Sequence, residues 1–223
     1  KRDFITCKMN IKENWKLFFK KRKNVRLLVW TLIVLVICVF SLSRFLIFAE
    51  SRDGAVLKDP LFDIFSAVEL NVPIFILIYG SLLTCIIYLV INHPARLIVA
   101  LQSYSLLVLI RMLMMYVTPL NPPAATIDLQ DPLVFIFGTG SKITKDLFFS
   151  GHTSTLFLLF LVTKNKRLKY VFLANTFLVG FSVILQKAHY SIDVFVAPFI
   201  AYAVFKFILY INDNYFQKDK LIK

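Results

Sequence analysis

Histidine is scarce in this chain: His93, His152 and His189 are the three among 223 residues. Two of them lie in short polar clusters that open apolar runs. His152 belongs to Phe149-Ser150-Gly151-His152-Thr153, and His189 begins His189-Tyr190-Ser191-Ile192-Asp193. His189 and Asp193 are four residues apart, so on a helix they share a face. A carboxylate in that position accepts the imidazole N–H, fixes the tautomer and raises the nucleophilicity of the other ring nitrogen. A second histidine supplies a general acid and base. The pair therefore suggests phosphoryl transfer at a membrane surface, provided the fold brings the two histidines together. A satisfied polar contact between helices is the alternative for the His189–Asp193 pair alone.

The elements that must position them are membrane helices. The chain is 58% hydrophobic with a mean hydropathy of +0.72, whereas soluble domains are roughly 45–50% apolar. Six apolar runs, at 27–48, 72–91, 95–118, 150–163, 168–186 and 190–211, are expected to be spans. Backbone groups in lipid must bond within their own segment, so the expected fold is all-α: a polytopic six-helix bundle. A basic segment at 1–26 precedes this catalytic core at 27–211, and a tail at 212–223 follows it. The chain begins at Lys1, so its N-terminus is expected to be trimmed or incomplete. No cleavable signal is expected, because the first apolar run is too long and lacks a small-residue cleavage site.

Charge sets the expected orientation. Placing both termini on the cytoplasmic side puts eighteen lysines and arginines there and five on the other, with Arg44, Arg111 and Lys206 inside spans. This is the positive-inside pattern. It accounts for the net charge of +13 without nucleic acid. Both site histidines then face outward, each at a helix N-terminus. Two such ends supply free N–H groups and partial positive charge for a phosphate. Ser150 is suited to cap the first of them, and Gly151 lets an anion approach the backbone. Phe4, Ile11, Trp15 and Phe18 form an amphipathic stripe, expected to lie on an anionic inner leaflet. Asp59-Pro60-Leu61-Phe62-Asp63 is expected to start a short interfacial helix in the first outer loop.

Other candidates are weaker. Arg111 lies ~10 Å inside the outer end of the third span. It is either a phosphate clamp, a partner for Asp193 or half of a structural salt bridge. Tyr116 offers a cation–π face to a cationic headgroup. Asp128, Asp131 and Asp146 are in the outer loop, where a solvated role is expected for most. Cys7, Cys38 and Cys85 show no ligand spacing, and no carboxylate cluster is present, so no metal and no cofactor are expected. His93 is expected to be structural.

The motifs resemble those of a known family. Ser150-Gly151-His152 and His189-x-x-x-Asp193 are similar to the second and third signature motifs of the type 2 phosphatidic acid phosphatase superfamily. Phe149–Thr153, His189–Val194 and Arg111-x-x-x-Met115-Tyr116-Val117-Thr118-x-Leu120 resemble sphingomyelin synthase and its relatives. The resemblance implies an outward-facing site with His189 as nucleophile, Asp193 as its activator and His152 as acid and base. Arg111, Tyr116, Ser150, Gly151, Thr153 and Lys187 are the expected substrate-binding positions. It implies transfer of a phospho-headgroup from a phospholipid donor to a lipid alcohol acceptor such as ceramide or diacylglycerol. Two departures bear on the substrate. No Lys and Arg-Pro motif precedes Ser150, and the arginine that the phosphatase branch carries six residues before its second histidine is Val183 here. Those cations would hold a dianionic monoester, so a phosphodiester is favoured, although Lys142, Lys145 and Lys187 are available as loop substitutes. The rivals are a lipid phosphatase, a phospholipase C-like hydrolase, and an inactive protein that binds or translocates lipid.

Overall fold

A computed structural model describes residues 11–123, 125–129, 131 and 143–216. Seven α-helices are found among them: α1 (Ile11–Phe19), α2 (Arg22–Glu50), α3 (Asn71–Asn92), α4 (Pro94–Val117), α5 (Gly151–Val162), α6 (Lys166–Leu185) and α7 (Ser191–Phe216). A 3-10 turn at Pro60–Asp63 interrupts the α2–α3 connection. The chain is thus all-α, and five helices, α2, α3, α4, α6 and α7, are long and apolar enough to cross a bilayer. Their outward faces carry side chains such as Trp30, Phe40, Ile76, Phe177, Phe195 and Phe207, all more than half exposed. Water would not tolerate that belt and lipid does, so this is an integral multi-pass membrane protein.

The fourth expected span differs. The run at 150–163 forms α5, a helix of only 12 residues, about 18 Å long at 1.5 Å per residue against a hydrocarbon core of about 30 Å. It is the central helix, packed against α3, α4, α6 and α7. Leu156, Leu158 and Val162 are sealed in that core. Hydropathy marks it as apolar, but its surroundings are protein, so its length need not match the bilayer. Its first residue therefore lies within the bundle, and this sets the depth of the site.

The end of the bundle where α3 passes into α4 is closed by polar contacts. Pro94 starts α4. His93 Nε2 and Tyr88 Oη are 3.0 Å apart, and Asn165 N–H donates to the same hydroxyl. Burial, then Lys164 and Arg96, lower the affinity of His93 for a second proton, which suits a structural neutral imidazole. The apolar stripe of the basic segment turns inward here. Trp15 Nε1–H donates to Val90 O at 2.8 Å, and Phe18 is buried against Ile98. The stripe thus packs at Trp15 and Phe18 against protein instead of lipid, while Ile11 remains exposed. Phe4 and Cys7, with Lys142 and the lysines of 217–223, lie outside the described residues.

The opposite end is held by loops. Ala55 and Leu120 form a parallel bridge, and a Cβ at Gly54 would meet Leu120 backbone atoms at 2.6 and 2.7 Å. Only glycine allows that approach. Gln186, fully buried, joins three connections. Its Oε1 accepts from Leu70 N–H, its Nε2 donates to Asn71 Oδ1 and to the carbonyls of Ile127 and Asp128, and its carbonyl accepts from Ile127 N–H. Gln186→Met keeps the volume and orphans these partners. It is expected to cost about 2 kcal/mol or more, read as a lower melting midpoint of purified protein in detergent micelles.

Candidate active site

The start of α5 and the start of α7 meet. Ser150 N–H donates to the carbonyl of Asp193 at 3.1 Å, which ties the two helix ends together through backbone. Ser150 caps α5: its Oγ accepts from Thr153 N–H at 3.4 Å, and the two hydroxyls share a hydrogen bond of 3.0 Å. Ser150 and Thr153 are both buried, so they shape the helix start and offer little surface to a ligand. This contact brings the rings of His152 and His189 to a centroid distance of 6.5 Å with planes at 65°. The two rare histidines share one site.

His189 is oriented as its spacing predicts. Its Nδ1 lies 3.3 Å from Asp193 Oδ2 on the same face of the chain, and the two side chains are 3% and 0% exposed. Tyr190 N–H also donates to Oδ2 at 3.2 Å, so this oxygen is fixed from two sides. The other oxygen, Oδ1, is buried with no hydrogen-bond partner among the described residues. A buried carboxylate needs compensation, and the imidazole N–H on Nδ1 supplies it. The other ring nitrogen, Nε2, takes no part in this contact.

His152 has partners that the spacing did not reveal. Its Nε2 is 3.5 Å from Asp131 Oδ2, and its ring meets Phe75 edge-on at 5.9 Å. Tyr79 donates a short hydrogen bond to the other oxygen of Asp131. Asp131 is therefore not a solvated loop residue but a carboxylate aimed at His152. Its role had no local sequence signal, since 21 positions separate it from His152.

Arg111 is buried, 7% exposed, and pairs with Asp146, not with Asp193. Its Nη2 is 2.7 Å from Asp146 Oδ1, and its Nε–H donates to the same oxygen at 3.0 Å. The guanidinium lies on Gly151: a Cβ there would be 1.2 Å from Nη1. Gly151 is thus required because Arg111 occupies the side-chain space at the start of α5. Tyr104 lies within electrostatic range of Arg111, Asp131 and Asp146.

The two helix starts are not equivalent. At α7, Ser191 N–H donates to Asp59 Oδ2 at 2.6 Å, while Asp59 Oδ1 caps the 3-10 turn through Leu61 N–H. The Asp193 and Asp59 carboxylates already accept from Tyr190 and Ser191 N–H there, so that end has less to offer a phosphate. At α5, no group among the described residues accepts from Gly151 or His152 N–H, so these donors, beside Arg111, form the anion-attracting end.

Two expected contacts fall elsewhere. Lys187, at φ 52°, donates from Nζ to Phe62 O at 2.8 Å and lies over the Phe62 and Phe65 rings. It braces the first loop. Tyr116 is 56% exposed, stacked on Phe48 and covered by Arg52. Lys145 Nζ donates to Arg52 O, so neither described loop lysine replaces the cation missing at Val183, itself fully buried. Tyr190 pins the first loop over the site: its hydroxyl accepts from Leu57 N–H and donates to Asn121 O. No group of three or more potential metal ligands occurs among the described residues.

Comparison with known proteins covers the same helices. No curated protein matches the chain. Residues 145–211 match the family model described as PAP2 superfamily C-terminal, a stretch that holds Asp146, the α5 start, His189 and Asp193 and leaves out Arg111 and Asp131. With the histidine pair in place, the 145–211 segment is similar to the PAP2 superfamily C-terminal family, which is typical of sphingomyelin synthase-like proteins, and that similarity suggests a lipid phosphatase or phosphotransferase.

Proposed function

We propose that this protein transfers a phospho-headgroup, of the phosphocholine or phosphoethanolamine type, from a glycerophospholipid to a lipid alcohol. The observation that carries the proposal is the joining of His152 to His189 at 6.5 Å with Asp193 on the Nδ1 side of His189. His189 Nε2 attacks phosphorus, and the bond from phosphorus to the diacylglycerol oxygen breaks. His152 gives its proton to that oxygen as it leaves. The headgroup phosphate is then bonded to His189 Nε2. His152, now neutral, takes the proton of the acceptor hydroxyl, whose oxygen attacks phosphorus and frees His189. Asp193 stabilises the positive charge that builds on the His189 ring in the first step. No metal enters this scheme.

A phosphodiester donor is supported by the few cations around the histidines. Arg111 is shared with Asp146, and Lys145 and Lys187 are engaged with loop carbonyls. The basic-residue asymmetry supports cytoplasmic termini and a site opening to the opposite, periplasmic or lumenal, face, with a bacterial inner membrane the favoured setting. The lipid acceptor arrives from the bilayer that surrounds the bundle.

Incubating the purified protein with fluorescent ceramide or diacylglycerol in mixed phospholipids is expected to give a new phospholipid and diacylglycerol on chromatography. Free phosphate or a free phospho-headgroup would point instead to water as acceptor, a phosphatase or phospholipase C-like activity. His189→Ala is expected to abolish both turnover and the acid-labile phosphoryl adduct. An adduct trapped on another residue would remove the nucleophile assignment. His152→Ala is expected to lower transfer by on the order of 10²–10⁴-fold, and near-wild-type transfer would sink its role. Asp193→Asn keeps shape and changes the tautomer it supports. A fall in turnover of at least about 100-fold with little change in melting midpoint is expected.

A further inference from the structure

Asp146 has no place in the proposed proton and phosphoryl transfers, yet it commits two of the donors of Arg111, a buried cation lying on Gly151 beside His152. We propose that Asp146 is a specificity-determining positioning residue, which offsets the charge of Arg111 and so sets the site to accept a monoanionic phosphodiester and to refuse a dianionic monoester. This rests on the proposed transferase chemistry.

The geometry is as follows. Asp146 Oδ1 takes both the Nε–H and an Nη2–H of Arg111, at 3.0 and 2.7 Å, and the Asp146 carbonyl accepts from Nη2 at 3.4 Å. One edge of the guanidinium is thereby used up. The remaining corner, Nη1, is pressed into the space that Gly151 leaves by having no Cβ. That places it beside the Gly151 and His152 N–H groups at the start of α5. An arginine side chain is long and flexible, and a single carboxylate gripping its Nε and Nη2 selects one rotamer. So Asp146 aims the free corner at the α5 start.

The same grip sets the charge. Arg111 and Asp146 sum to zero, and the partial positive charge at a helix start is about half a unit. A phosphodiester brings one negative charge, which this suits. A phosphomonoester brings about two, and its second charge would face Asp131 and Asp193 with no free cation opposite among the described residues. In a poorly screened site such repulsion is strong. Removing the Asp146 charge while keeping its shape releases a whole positive charge onto the ligand and is worth more to the dianion.

The test compares ligands in one enzyme. In micelles, KM for phosphatidylcholine and Ki for phosphatidic acid as competitor are measured for wild type, Asp146→Asn and Asp146→Glu. Asp146→Asn is expected to lower the ratio of Ki to KM by on the order of tenfold. Asp146→Glu, which keeps the charge, is expected to retain the wild-type ratio. A purely structural role would alter turnover and melting midpoint and leave the ratio alone, so an unchanged ratio in folded Asp146→Asn overturns the proposal. If that variant does not fold, the wild-type ratio is followed against pH. It is expected to fall as the monoester loses its second charge below about pH 6, and a flat ratio overturns the proposal. A wild type without activity on the diester would instead sink the transferase reading itself.

Discussion

One buried carboxylate organises the site. Asp193 is fully enclosed in a bundle that offers little dielectric relief, so its charge must be matched where it stands. The His189 ring and the Tyr190 N–H match it through Oδ2. Its backbone carbonyl is meanwhile the acceptor for Ser150 N–H. The residue that holds the His189 ring is thus also the residue that docks the α5 start, and with it His152, beside that ring. Position and reactivity depend on the same few atoms.

From that junction the surroundings follow in layers. The short central helix puts its N-terminal turn inside the bundle, where lipid-facing helices shield it. Polar groups at such depth are costly unless paired, and pairing is what is seen: Arg111 with Asp146, Asp131 with Tyr79 and His152, Asp59 with the α7 start. The loops above are stitched by Gln186, Tyr190 and Lys187, none of which contacts the phosphate path proposed here. Their function is to keep two separate helix starts at a fixed spacing against thermal motion of long connections.

The His189–Asp193 contact and the cap of α5 were legible from the chain because their partners are local. His189 and Asp193 are one helical turn apart, and Ser150, Gly151 and Thr153 follow each other, so their relation depends on backbone geometry that short motifs encode. The apolar runs were legible for a similar reason, since each is set by its own composition. The length of α5 as a crossing helix was not, because a hydrophobic run reads alike whether lipid or protein covers it. The contacts of Tyr116 with Arg52 and of Lys187 with Phe62 were not legible either, since an aromatic ring and a cation near the mouth say nothing of which loop will meet them.

The sequence by itself determined that there are two histidines with a carboxylate beside one, a glycine and a serine at the other, and helices apolar enough to hold them in a bilayer. Only the tertiary structure decided which acids serve which groups. Asp131 meets His152 and Asp146 meets Arg111 across 21 and 35 positions, through loops whose path is set by packing. The physical reason is that helical spacing conveys contacts over a turn, while ion pairs between elements depend on where burial leaves a charge with no other partner.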